Sequence, residues 1–285
     1  MKKTLIAAMM VLACWFAAQA ARAADFKVPE HVAAGEGVTI QTQGSGDATL
    51  YLFGPSSAVK RTVKLGHEVQ IKPDEVLDAG EYTVILNGES AQFWVTPNQT
   101  ARLSFLARPS RLPVAVSNGI GGVVYTFDKF HNLVLAPQPV KFELTVKDGG
   151  ALARTLQTKD GMAFVAMDSS RKEGPAQFVA SVGDVSEKRV VQQVASDPCN
   201  LRMNAERTRN GVEVTTDPIR DCSGNPVPDG TIVTFTATSK QGKSSVDARI
   251  KRGIAKAELP GLQNATISVA AGVVMGHEIH IGGGE

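Results

Sequence analysis

The chain has 285 residues, and its 30 basic and 28 acidic residues give a formal net charge of +2. Three of the 30 basic residues lie in the first 23 positions, so the rest of the chain has 27 basic and 28 acidic residues and a formal charge of −1. A nearly neutral chain lacks the basic surface that nucleic acids and anionic membranes attract, so we expect no nucleic-acid partner.

The N-terminus has the organisation of a secretory signal peptide. Lys2 and Lys3 precede an apolar run from Leu5 to Ala18, and the small-x-small sites Ala18-Gln19-Ala20 and Ala21-Arg22-Ala23 follow. Such an order is typical of a cleaved export signal. We therefore predict that residues 1–23 are removed and that the chain is exported to the periplasm or to the extracellular or cell surface.

A lipoprotein signal ending in lipidated Cys14 is an alternative reading of Val11-Leu12-Ala13-Cys14. The apolar stretch before Cys14 is very short for that reading, and it leaves Trp15 and Phe16 unexplained. No later segment has the run of about 18 apolar residues that a membrane-spanning helix needs, so we expect no transmembrane segment in the mature chain.

Residues 24–98 contain short extended runs separated by turn residues, without helical periodicity. Asp78-Ala79-Gly80-Glu81-Tyr82 is similar to the tyrosine corner of immunoglobulin-like sandwiches, so the Tyr82 hydroxyl is expected to bond to nearby backbone rather than to serve a binding site. Trp94 lies within an apolar run, and we expect it to pack in the core. The pattern predicts one small β-sandwich.

Residues 99–195 continue with strands of the same kind after a linker at residues 96–99. Val140 to Val146 alternates between apolar and polar residues, as a half-buried strand does. The loop Phe130-His131-Asn132-Leu133 is weakly specified, so Phe130 and His131 are expected to be exposed and are candidate partner contacts. A second sandwich is predicted here.

Residues 196–282 contain the most strongly marked stretch, Asp221 to Phe235, followed by a tail at 283–285. Its turn-forming residues predict a strand end, a rigid loop and a new strand. A copy of this stretch lies 93 residues upstream. In an alignment without gaps, Asp128, Asn132, Val134, Val140 and Phe142 correspond to Asp221, Asn225, Val227, Val233 and Phe235. The repeat favours several small domains.

The remaining cysteines, Cys199 and Cys222, flank a hairpin signal at Asn210-Gly211. Reflection about that turn pairs position i with 421 minus i and places the two cysteines opposite each other. In an oxidising compartment this predicts a Cys199–Cys222 disulfide, although that register makes them a hydrogen-bonded pair, which is wider than a disulfide prefers. The alternatives are that the two cysteines bind a metal ion or that one is a reactive thiol, but no further Cys or His lies at the spacing of a ligand set.

The third region has a characteristic set of residues: Asp221, Gly224, Asn225, Pro226, Val227, Gly230, Val233, Thr234, Phe235, Gly253, Ile254, Ala255, Val269 and Ala270. With these residues it is similar to bacterial immunoglobulin-like domains of group 1, the repeat of intimin- and invasin-type adhesins. The second region resembles a divergent copy. The resemblance implies tandem antiparallel β-sandwiches, which in such adhesins form a rod.

No catalytic signature is found in the sequence. Gly-x-Ser-x-Gly, a phosphate-binding loop and His-Glu-x-x-His are absent, and His277 and His280 of one strand would point to opposite faces. We expect no enzyme activity, no cofactor and no metal site. The hypothesis is an all-β structural, adhesive or assembly-accessory protein that contacts an envelope or surface protein, with a carbohydrate- or ligand-binding module as the alternative.

Overall fold

The computed structural model describes residues 26–146, 150–261 and 264–282. The signal-peptide prediction and the tail at 283–285 lie outside the described residues. The fold is all-β, and its sheets form tandem immunoglobulin-like sandwiches. The described residues divide into two compact units, one with residues 26–101 together with 127–134 and the other with 102–126 and the described residues from 135 to 282.

In the part of the chain that the structure describes, the first sandwich contains eight strands and one 3-10 turn. Its sheets have the orders β1-β3-β6 and β2-β8-β7-β4-β5. Asn87 and Gly88 both have positive φ and form the tight turn between β7 and β8, as an Asn-Gly pair does. The elements are β1 (Phe26–Lys27), β2 (His31–Ala33), β3 (Val38–Thr42), β4 (Asp47–Phe53), β5 (Ala58–Lys64), β6 (Glu68–Ile71), the turn Pro73–Glu75, β7 (Gly80–Leu86) and β8 (Glu89–Thr96).

The second sandwich has sheets of order β14-β11-β9 and β10-β16-β15-β12-β13. Strand β12 alternates buried and less buried residues along its length, as its sequence predicts. Its strands are β9 (Arg102–Arg108), β10 (Arg111–Pro113), β11 (Ile120–Phe127), β12 (Pro139–Val146), β13 (Gly150–Gln157), β14 (Met162–Met167), β15 (Gly174–Val182) and β16 (Val185–Val194).

The third sandwich has sheets of order β18-β19-β23 and β22-β21-β24-β25, with a short β17-β20 pair. Its strands are β17 (Pro198–Cys199), β18 (Met203–Arg207), β19 (Gly211–Thr216), β20 (Arg220–Asp221), β21 (Ile232–Ser239), β22 (Gly242–Arg249), β23 (Lys256–Pro260), β24 (Ala265–Ala271) and β25 (Val274–Ile281).

The disulfide between Cys199 and Cys222 is present, but the register predicted for it is wrong. Met203 pairs with Thr216 and Cys199 with Arg220, so the numbers of paired residues sum to 419 rather than to the predicted 421. Cys222 therefore lies two residues beyond the position opposite Cys199. A shift of two residues keeps every side chain on its face, so the apolar pattern cannot distinguish the two registers.

Each sandwich has its own apolar core, centred on Tyr82 and Phe93 in the first, Phe142 and Phe178 in the second, and Phe235 in the third. The domain boundaries at 98/99 and 195/196 stay predictions, since residues 127–134 group with the first unit. Among the described residues, no helix is long and apolar enough to cross a membrane.

Candidate contact surface

Asp221 and Asn225 form a buried hydrogen-bond network in the second unit. Asp221 Oδ1 accepts from the backbone N–H groups of Ser223 and Asn225 at 2.8 and 2.9 Å. Its Oδ2 accepts from Asn225 Nδ2 at 2.9 Å and from the Ser196 N–H at 3.1 Å. The carboxylate thereby fixes its own loop and the segment that leads into the third sandwich.

Asn225 extends this network to the second sandwich. Its Nδ2 donates to the Arg171 carbonyl at 2.7 Å, and its Oδ1 accepts from the Glu173 N–H at 3.2 Å. Because both ends of the amide are bonded inside the unit, the Asp-Asn pair stabilises a junction.

The upstream copy makes the corresponding bonds within the first unit. Asp128 accepts from the N–H groups of Phe130 and Asn132, from Asn132 Nδ2, and from the Asn98 N–H, all between 2.9 and 3.0 Å. Asn132 also donates to the Leu77 carbonyl and accepts from the Ala79 N–H, both at 2.7 Å. The copy therefore retains the side-chain network although its Gly and first Pro are lost.

The pKa values of Asp128 and Asp221 show what these bonds do to the carboxyl groups. Burial opposes ionisation and acts to raise each pKa, but the hydrogen bonds from the Asn side chain and the backbone N–H groups outweigh it. The net pKa of both residues lies below the usual aspartate value. Both side chains are thus held as buried, fully bonded carboxylates.

The other residues of the motif have backbone or core positions. Gly224 and Gly230 have φ of +88° and +90°, which glycine adopts without strain. Pro226 forms an isolated bridge with Arg220, while Val227 and Phe235 are buried in the third core.

Two expectations about aromatic residues, those for Phe130 and Trp94, differ from the structure. Phe130 is packed against the first core, with its ring directly over Gly35, so it does not form an exposed pair with exposed His131. Trp94 is 50% exposed rather than a core residue. Tyr82 is fully buried beside the Asp78 backbone, as a tyrosine corner requires, and burial raises the pKa of its hydroxyl.

An apolar face covers the outside of sheet β14-β11-β9 in the second sandwich. Tyr125 pairs with Met162, and Val123 pairs with Phe164, on strands β11 and β14. Leu106 on the neighbouring strand β9 is 52% exposed, and Phe164 is 57% exposed. We call these residues the apolar face: Leu106, Val123, Tyr125, Met162 and Phe164.

The sheets in the same position of the other sandwiches have polar outer faces. In the first sandwich, Thr39 Oγ1 donates to Gln70 and Gln41 Nε2 donates to Glu68 across β3 and β6. In the third sandwich, Lys256 and Glu213 form an ion pair at 2.7 Å across β19 and β23. The outer face of a half-buried sheet is ordinarily polar, so the second sandwich is the exception among the three.

Sequence reasoning missed Leu106, Met162 and Phe164 as surface residues. The run Met162-Ala163-Phe164-Val165 is apolar at every position, whereas a strand with one solvated face should alternate. That departure from alternation was the available signal. Sequence alone does not tell whether the extra apolar residues meet a second layer or solvent.

A second exposed aromatic group lies on the outer face of the first sandwich. Tyr51 and Phe53 of β4 have ring centroids 6.3 Å apart and planes within 3° of each other. Trp94 of β8 lies on the same outer face. Trp94 pairs with Glu81 of β7, and Phe53 pairs with Thr83 of β7. Because Glu81 and Thr83 are two residues apart on one strand, their side chains and those of their partners point to the same side of the sheet. The described residues hold no cluster of three or more His, Cys, Asp or Glu suited to a metal ion.

No protein-family model and no curated protein sequence matches the chain. The structure is similar to that of the Escherichia coli adhesin FdeC, with a TM-score of 0.62, 16% identity, and coverage of 92% of this chain and 98% of that one. Weaker similarity is found to the bacterial integrin-binding protein invasin, with a TM-score of 0.45, 10% identity, and coverage of 88% and 57%. At these identities the FdeC match supports the fold alone, and the invasin match carries no argument.

Proposed function

We propose that this chain is an exported, noncatalytic binding protein of the bacterial periplasm or cell surface, acting as a structural, adhesive or assembly-accessory module. The observation that carries the proposal is the apolar face, exposed on one sandwich while the corresponding faces of the other two are polar. Contiguous exposed apolar surface with aromatic residues is characteristic of protein–protein contact sites.

The surroundings of the apolar face indicate the chemistry of its partner. Arg102 and Arg108 are exposed near the two ends of β9, on the same side as Leu106. An apolar centre with arginine at its rim is complementary to a protein surface that has an apolar centre and acidic residues around it. We propose a partner protein of this kind.

The test is a crosslinking pull-down from the cell envelope with the purified chain, repeated with Phe164→Ser. We expect the variant to lose about tenfold in affinity for the recovered partner, as truncation of a central aromatic contact does. Met275→Ser is the matched control, since Met275 is 65% exposed on the third sandwich and should bind normally. Equal recovery by Phe164→Ser and the unaltered chain would exclude the apolar face as the contact surface.

Carbohydrate binding is the second candidate, because exposed Phe53 and Trp94, together with half-buried Tyr51, give the first sandwich an aromatic surface. Sugar rings stack on flat aromatic side chains, and Glu81 and Gln92 on exposed positions nearby can hydrogen-bond hydroxyl groups. In gels containing soluble β-glucan or xylan, we expect retardation of the chain that Trp94→Ala removes. Unchanged mobility of the unaltered chain in every polysaccharide would count against this candidate.

A further inference from the structure

Strand β13 is the outer strand of the five-stranded sheet in the second sandwich. It pairs with β12 on one side, and no strand among the described residues pairs with its other side. All eight of its residues are exposed. Its free edge therefore presents a row of backbone N–H and C=O groups that can pair with a further strand.

The inner face of β13 is also uncovered. Leu152 and Leu156 pair with Leu144 and Val140, whose side chains are fully buried, so all four point to the core side of the sheet. Yet Leu152 is 47% exposed and Leu156 is 37% exposed. Among the described residues, β13 is the outermost strand of its sheet, and its apolar side chains on the core side are left partly exposed.

The corresponding edge strands of the other sandwiches are covered and charged. In β5, Val59 and Val63 pack against the first core, and the strand carries Lys60, Arg61 and Lys64. In β22, Val246 and Ala248 pack against the third core, and charged residues are again present: Lys243, Asp247 and Arg249. Charged residues on an edge strand oppose pairing with other chains, and β13 has only Arg154.

Arg154 sets the electrostatics of this edge. Its Nη1 donates to the Ala166 carbonyl at 2.9 Å, which holds the guanidinium on the core side of β13 between Leu152 and Leu156. The guanidinium has five N–H donors and can bind a carboxylate with those that remain. The alternate residues on the core side of β13 are therefore an apolar, a positively charged and an apolar residue: Leu152, Arg154 and Leu156.

We propose that β13 binds an extended segment of a partner protein by β-strand addition, and that the segment has the complementary pattern apolar-x-acidic-x-apolar. Main-chain hydrogen bonds to the free edge supply affinity, and the alternate side chains supply specificity. The segment's apolar residues cover Leu152 and Leu156, and its Asp or Glu lies beside Arg154. The inference deepens the proposed protein-binding function but uses residues outside the apolar face.

Charge distinguishes such a segment from a second copy of this chain. In antiparallel self-pairing, the register that brings Leu152 opposite Leu156 also brings Arg154 opposite Arg154. Like charges directly opposite each other destabilise a strand pair. A foreign acidic segment has no such conflict.

The test uses two blocked heptapeptides, Thr-Leu-Thr-Glu-Thr-Leu-Thr and the same peptide with Lys in place of Glu, added to the purified full chain. Binding is followed by NMR titration and by hydrogen exchange of the amides in residues 150–157. We expect the Glu peptide to bind about fivefold more tightly than the Lys peptide and to protect amides of β13. Equal affinity, or protection located elsewhere, would overturn the proposal.

Variants assign the effect to the edge. Arg154→Glu should reverse the preference between the two peptides, and joint replacement L152K with L156K should abolish binding. Lys60→Glu on the β5 edge is the control and should leave binding unchanged. Protection of β13 that rises with protein concentration in the absence of peptide would show self-pairing and would overturn the choice of a foreign segment.

The outcome is separable from that of the apolar face. Phe164→Ser should bind the Glu peptide normally, because Phe164 lies on the outer side of another strand, β14. If the peptides fail while Phe164→Ser still loses its envelope partner, the edge proposal is wrong and the proposed function stands. If the Glu peptide binds but Phe164→Ser still recovers the envelope partner normally, the edge proposal stands and the apolar face is excluded as the contact surface.

Discussion

Replacing Asp221 by alanine is expected to lower the free energy of unfolding of the third sandwich by about 3 kcal/mol. The change removes the acceptor for three backbone N–H groups and for Asn225 Nδ2, and the loop remains too buried for water to replace it fully. Each buried donor left without a partner then costs its own desolvation. Urea unfolding by circular dichroism and hydrogen exchange of β19 and β24 would measure the loss.

Asp229→Ala is the matched control for this prediction. Asp229 lies in the same loop and accepts from the N–H groups of Arg252 and Gly253, but it is exposed, so water can replace it and the effect should be much smaller. Trp94 fluorescence, which reports on the first unit, should be unaffected by Asp221→Ala and altered by Asp128→Ala. Equal destabilisation by Asp221→Ala and Asp229→Ala would contradict the importance of burial.

Acid should reduce the difference between Asp221→Ala and the unaltered chain. Because the pKa of folded Asp221 is lowered, its ionisation stabilises the fold above the unfolded-state pKa of 3.8, and this contribution is lost as pH falls through the folded-state value. The deficit of the variant should therefore be largest near neutral pH and smaller below about pH 4.

Removal of the Cys199–Cys222 disulfide is expected to cost roughly 3 kcal/mol. The bridge joins residues 23 apart and so limits the conformations of the unfolded chain between β17 and β20. The double replacement Cys199→Ser with Cys222→Ser should lower the urea midpoint of the second unit. The transition of the first unit, followed by Trp94, should not move.

A reductant separates the role of the disulfide from that of the side chains. Dithiothreitol should destabilise the unaltered chain by a similar amount and should have no effect on the double variant, which has no bridge to reduce. If the double variant unfolds at the same urea concentration as the unaltered chain, the predicted contribution of the disulfide is wrong.

The copy at Asp128 shows how far a repeat in the sequence predicts structure. Spacing alone placed Asp128 on Asp221 and Asn132 on Asn225, and both pairs make the same set of hydrogen bonds. The same comparison suggested an exposed Phe130, because the copy lacks the turn residues of the third sandwich. Phe130 is instead packed over Gly35, a contact between residues 95 positions apart that no local pattern contains.

The sequence by itself determined the elements of this protein. Alternation of apolar residues defined many of the strands and their buried faces, the Asn87-Gly88 pair defined a turn, and two cysteines remaining after the predicted signal indicated the disulfide. These properties depend on neighbouring residues or on composition, so they can be read without knowing which strands meet.

The tertiary structure decided which apolar residues face water. Trp94 and Phe164 satisfy the strand pattern as well as a core residue does, but in the part of the chain that the structure describes no second layer covers their side of the sheet. Leu152 points to the core side of β13 and is still exposed, because β13 is the outermost strand of its sheet among the described residues. Exposure depends on the relative extents of two packed sheets, and that is set by contacts between distant strands rather than by local sequence.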